Sequence, residues 1–191
     1  MWLLFVQVFF AIFGVMDPVG NVPVFITLTG KMDRERQARL ATAATVRAGV
    51  ILFIFVFLGS AILNAFQISI ESFRIAGGLI LMLLGLQILF GKEHEVGDAE
   101  ADLSVVPLAT PLIAGPGMIT SAVILAKEYG YFLTLAGIVA NLIISRILFR
   151  YSHLVLRVLG KKGALAAAKV MGLIITAIGV EFIRNALGVR A

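Results

Sequence analysis

Two short segments hold the residues whose types and spacing could do chemistry. Asp17 stands directly before Pro18, Gly20, Asn21 and Pro23 inside an apolar stretch. Thr110 stands directly before Pro111, Gly115, Pro116 and Gly117 inside another. Proline lacks an N–H donor and clashes with the preceding turn, so each pair of prolines should open a helix. An opened helix offers a ligand its backbone amides and carbonyls, and the start of a half-helix favours an anion. Asp17 adds a carboxylate. At membrane depth that charge costs about 2.5–3.5 kcal/mol on insertion scales, so a cation, a proton or an amine should offset it. Asp17 could equally cap a half-helix beginning at Pro18. The two roles are compatible. Asn21 has an amide that can serve both ends of a zwitterion. Thr27, Thr120 and Ser121 should lie one to two turns deeper, bonded to their own helix backbones.

Composition says what must position these segments. The chain has 191 residues, 60% of them hydrophobic and 14% charged. A soluble domain carries about 25% charged residues. Apolar runs cover residues 2–30, 40–63, 73–91, 105–126, 131–152 and 164–188. Six spans of about 20 residues use roughly 120 residues, which leaves short loops and no separate soluble domain. The expected fold is an all-α membrane protein of six transmembrane helices, the first and fourth broken at the Pro/Gly motifs. Non-helical backbone at membrane depth must be buried or line a cavity, so both breaks should face inward. Residues 2–16 could pass for a signal-peptide core. They lack a basic leader and a small-residue cleavage site, and read as the start of the first span.

The connections are short. Residues 31–39 are strongly charged, 92–104 acidic, 127–130 a tight turn and 153–163 basic. Twelve of the 16 lysines and arginines fall toward one side of the bundle and four toward the other. The basic side should be cytoplasmic, which puts both termini outside. The net charge of +5 therefore sets orientation, and no nucleic-acid partner is expected. With no cysteine and only His94 and His153, no metal site or cofactor is expected either. At membrane depth there is no Ser/His pair, no pair of aspartates and no metal-ligand cluster, and no nucleotide-binding motif is present, so neither an enzyme nor a nucleotide-driven pump fits.

The chain also repeats itself. A shift of 93 residues places Pro18 on Pro111, Pro23 on Pro116 and Thr27 on Thr120. A shift of 94 places Gly78 on Gly172, Gly85 on Gly179 and Gln87 on Glu181. Each copy holds three spans, an odd number, so the second must enter the membrane from the opposite side. The expected units are residues 1–91, an acidic cytoplasmic loop at 92–104, and an inverted copy at 105–191. The four glycines should let helices approach closely. The repeat is not symmetric in charge, because Thr110 occupies the position that matches Asp17. Asn141 should cross-link helices, Arg146 should snorkel to the basic face, and Glu181 should pair with Arg184.

Asp17-Pro18-Val19-Gly20-Asn21-Val22-Pro23-Val24-Phe25 resembles the first signature of the MarC family of bacterial and archaeal membrane proteins. The segment from Pro107 to Thr120, PLATPLIAGPGMIT, resembles its second. Neither motif clearly departs from the family pattern, and the resemblance covers essentially the whole chain. The family includes SnatA-type transporters of small neutral amino acids such as glycine and alanine. The resemblance implies a substrate site at the two breaks, formed by Asp17, Gly20, Asn21, Thr110, Gly115 and Gly117. Asp17 is the candidate for proton coupling. The expected function is secondary transport of such amino acids by alternating access, in a bacterial inner membrane or archaeal plasma membrane, coupled to protons or another ion. A channel or facilitator for another small neutral solute is the alternative, followed by a non-transporting membrane scaffold.

Overall fold

The computed structural model describes residues 2–30, 32–90 and 113–188. All regular structure among them is helical: α1 Trp2–Met16, α2 Asn21–Thr29, α3 Arg34–Ala65, α4 Ile70–Phe90, α5 Pro116–Tyr129, α6 Tyr131–Arg150 and α7 Ser152–Ala186. The expected acidic loop at 92–104, Thr110, Pro111 and the Thr27 side chain lie outside the described residues.

Among the described residues, four helical stretches are long and apolar enough to cross a membrane: Arg34–Ala65, Ile70–Phe90, Tyr131–Arg150 and Leu165–Ala186. With 15 residues, α1 reaches about 22 Å, short of a hydrocarbon layer of about 30 Å. Large apolar side chains are exposed and several polar ones are buried beside the apolar core. Leu83, Phe90, Phe132 and Val158 face outward, while Asp17, Ser121, Thr134, Asn141 and Ser145 are buried. Polar side chains thus turn to the protein interior and apolar ones to the surroundings, as a lipid solvent requires.

Two expected connections are helical instead. α3 begins at Arg34, inside the charged stretch, because Asp33 caps it: its carboxylate accepts the Arg36 N–H at 2.8 Å. Glu35 and Arg39 then pair one turn apart. The basic stretch 153–163 is the first part of α7, kinked at Gly160, whose φ of 66° few other residues adopt cheaply. The tight turn before α6 shrinks to Gly130 alone, at φ 84°.

α4 and α7 make the closest pairing, and the glycines explain it. A Cβ on Gly78 would lie 2.6 Å from the Gly179 carbonyl oxygen, and one on Gly179 would lie 2.6 Å from that of Gly78. Gly85 and Gly172 face each other likewise, with 2.5 and 3.0 Å. Because 78 meets 179 while 85 meets 172, the helices run antiparallel. Small residues of this kind let backbones touch where lipid removes the hydrophobic drive for helix association. α3 and α6 are also antiparallel neighbours: Gly49 meets Leu142, and Arg146 Nε donates to Thr42 Oγ1 at 3.1 Å. At the other end of the bundle, Arg74 of α4 pairs with Glu128 of α5. These two cross-links lie on the two faces to which the lysine and arginine pattern assigns them.

Candidate functional site

The first break is built from residues 17–20. α1 stops at Met16, Asp17 takes φ 43°, and α2 starts only at Asn21. The second half-helix therefore begins three residues later than a start at Pro18 would give. Asp17 Oδ1 accepts the Gly20 N–H at 2.9 Å. The Asn21 amide donates to the Asp17 carbonyl and the Val22 amide to the Val19 carbonyl, both at 3.1 Å. Pro23 has no N–H to satisfy. The break itself thus fills the Asn21 and Val22 donors of the first turn of α2. The Asn21 side chain reaches back, its Nδ2 donating to the Met16 carbonyl at 2.9 Å, and so ties α2 to the end of α1.

Asp17 is buried, with 5% of its surface exposed. Its carboxylate has the Gly20 hydrogen bond and makes no ion pair among the described residues. A side chain at position 20 would meet that carboxylate head-on, since a Cβ there would lie 2.0 Å from Asp17 Oδ2. Gly20 is glycine so that Asp17 can turn onto the backbone.

The second motif is described from Ile113 onward, where it forms the start of α5, and there its character differs. Gly115 is the N-cap of α5 with extended backbone, and no side chain caps it. Pro116 fills the first helical position, where its missing N–H costs nothing. Ile119 N–H reaches the Gly115 carbonyl at 3.0 Å. The Gly117 and Met118 amides meet no acceptor among the described residues. Gly117 has a packing role as well: a Cβ there would lie 2.6 Å from the Leu81 side chain of α4. α5 is buried on nearly every side from Gly117 to Ala126. Thr120 and Ser121 each donate to the carbonyl four residues back, as their position on a helix suggests.

Both breaks adjoin one buried cluster. Met16, Val22 and Phe25 enter it from the first, and Ile113, Ala114 and Met118 from the second. α6 supplies a polar ridge beside α1. Asn141, fully buried, donates through Nδ2 to the Phe9 carbonyl at 3.2 Å and to that of Gly137 at 2.9 Å, which bears out its cross-linking role. Its Oδ1 has no hydrogen-bond partner among the described residues. Ser145, one turn on, lies 3.4 Å from the Met16 sulfur. A Gly-x3-Asn-x3-Ser spacing at 137, 141 and 145 was the available sign of this ridge. Glu181 and Arg184 form the expected local pair at 2.8 Å. Of the six candidate residues, the structure gathers Asp17, Gly20 and Asn21 at one break and Gly115 and Gly117 at the other.

The family model described as MarC family integral membrane protein matches residues 2–189, the two breaks included. The chain belongs to the MarC family. MarC-family relatives of similar length occur in bacteria and archaea. The UPF0056 membrane protein MJ1677 of Methanocaldococcus jannaschii is 35% identical over 96% of this chain and 95% of its own. That of Buchnera aphidicola subsp. Schizaphis graminum is 32% identical over 98% and 92%. YhcE of Escherichia coli is 34% identical over 92% and 87%. No solved structure matches the chain. This MarC-family protein is an integral, multi-pass membrane protein.

Proposed function

We propose that the protein is a secondary transporter of small neutral amino acids of the glycine and alanine class, working by alternating access. One observation carries the reading: two helix breaks of unlike chemistry adjoin one buried cluster. The substrate carboxylate goes to the uncapped start of α5, where the Gly117 and Met118 amides and the helix dipole favour an anion. The ammonium goes to Asp17, whose buried charge gains a partner. Asp17 also carries the proton in states without substrate, so protons are the coupling ion. A small side chain suits a site crowded by Met16, Val22 and Met118.

The scaffold is six spans in two inverted halves. α1, the break and α2 form the first span, and α5 is the second half of the fourth. The reciprocal glycines support this. Under the repeat shift, the Gly78–Gly179 contact becomes Gly172–Gly85, the other observed contact. α2 packs on α7 as α5 packs on α4, the matching pair. Rocking of one half against the other then opens the site to each side in turn. The basic ends face the cytoplasm in a bacterial inner or archaeal plasma membrane, with both termini outside.

Counterflow in proteoliposomes tests the proposal. Vesicles loaded with unlabelled glycine or alanine should take up the labelled amino acid faster than empty-loaded ones. A broad amino-acid panel with no flux above protein-free vesicles would sink the substrate class. Flux without acceleration by internal substrate would favour a pore.

A further inference from the structure

A different region carries a second binding surface. An open groove of about 560 Å³ runs between the start of α3 and the end of α6, lined by Glu35, Arg39, Thr42, Ala43, Val46 and Arg150. α3 has 32 residues and so extends about 48 Å, well beyond a hydrocarbon layer of about 30 Å. Its charged residues gather in the first turns, and from Ala48 to Ala65 it is free of charge. The groove therefore sits where headgroups meet acyl chains.

Its polarity changes along its length in the order of a phospholipid. At one end stand Arg39, Arg150 and, beside Thr42, Arg146. Arg146 hydrogen-bonds through Nε, and Arg150 makes no ion pair among the described residues. Glu35 offsets part of this charge, at 3.2 Å from Arg39, but the pair is solvent-exposed and weak. The floor is small and apolar at Ala43 and Val46. Val46, Val50, Phe53 and Phe57 then continue as an exposed stripe with the helical spacing of one α3 face.

We propose that this groove binds an anionic phospholipid. The phosphodiester lies between the Arg39 and Arg150 guanidinium groups, which can bond it in bidentate fashion. One acyl chain lies along Val46, Val50, Phe53 and Phe57. Basic pockets between spanning helices bind anionic headgroups for the same reason.

The test uses the full chain in nanodiscs of phosphatidylcholine doped with phosphatidylglycerol, followed by native mass spectrometry. The wild type should retain phosphatidylglycerol over phosphatidylcholine. The Arg39→Gln/Arg150→Gln double variant should bind it roughly thirtyfold more weakly, by the usual contribution of two interfacial arginines. Arg157→Gln, an exposed arginine outside the groove, should retain it. All the substituted positions are exposed, and thermal unfolding should match wild type. Equal retention by the double variant, equal retention of phosphatidylcholine, or displacement of the lipid by inorganic phosphate would each overturn the proposal.

Discussion

The two helix breaks share their prolines and differ in almost everything else. At the first, Asp17 folds onto the Gly20 amide, and the Asn21 and Val22 amides find backbone acceptors. At the second, no side chain caps the helix and the Gly117 and Met118 amides meet no acceptor among the described residues. A self-capped break with a buried carboxylate repels anions and attracts cations. An uncapped helix start does the reverse. A two-fold scaffold thereby acquires a site with a positive and a negative end, which is what a zwitterion needs. Two identical breaks would offer two equal ends and no reason for one orientation of the substrate.

The strongest way to break this comparison is to put the same substitution at each glycine. Gly20→Ala sets a methyl group 2.0 Å from Asp17 Oδ2, beside the oxygen that accepts the Gly20 N–H. It should cost about 3 kcal/mol, by displacing a buried charge from its hydrogen bond, and should abolish glycine flux. Gly117→Ala meets the end of the flexible Leu81 side chain. It should cost about 1 kcal/mol, the lower end for overpacking. Thermal unfolding in detergent reads both. Equal costs would mean that Asp17 is not held as described.

Asp17→Asn separates charge from shape. The amide oxygen can still accept the Gly20 N–H, so folding stability should hold. Counterflow of glycine should fall at least about tenfold, the usual loss when a hydrogen bond to a charged group goes. Any remaining flux should lose its dependence on a proton gradient. Retained, proton-dependent transport would remove Asp17 from coupling.

The sequence announced the first break, and the start of a helix at Pro116, because proline and glycine act locally, on their own turn. It announced for a similar reason that the four glycines would serve close helix packing, though not that α4 and α7 would be the partners. It did not announce that Gly20 serves Asp17, because that depends on where the carboxylate turns. Nor did it announce the Arg74–Glu128 pair, which joins helices far apart in the chain. Residues 153–163 were expected to be a connection on the strength of their charge. They are helical because Leu154, Val155 and Val158 recur at helical spacing among the basic residues, a pattern that suits a membrane surface. The vacant amides of α5 were legible only as a possibility of the Gly-Pro-Gly sequence. Which N–H groups lack acceptors is a property of the folded break.

The smallest effect tests whether the asymmetry that matters is confined to the breaks. α7 carries Glu181 where the repeat gives α4 Gln87. Glu181→Gln makes the two helices alike at that position and removes a half-exposed ion pair with Arg184. Such pairs contribute little once solvent screens them, so stability should change by less than about 0.5 kcal/mol. The glutamine oxygen can still accept from Arg184 and from Asn185, which now share the Glu181 oxygen. Glycine counterflow and its proton dependence should match wild type. A loss of flux comparable with that of Asp17→Asn would show that charge on the last helix also sets the polarity of the site, and the contrast between the breaks would no longer suffice to explain it.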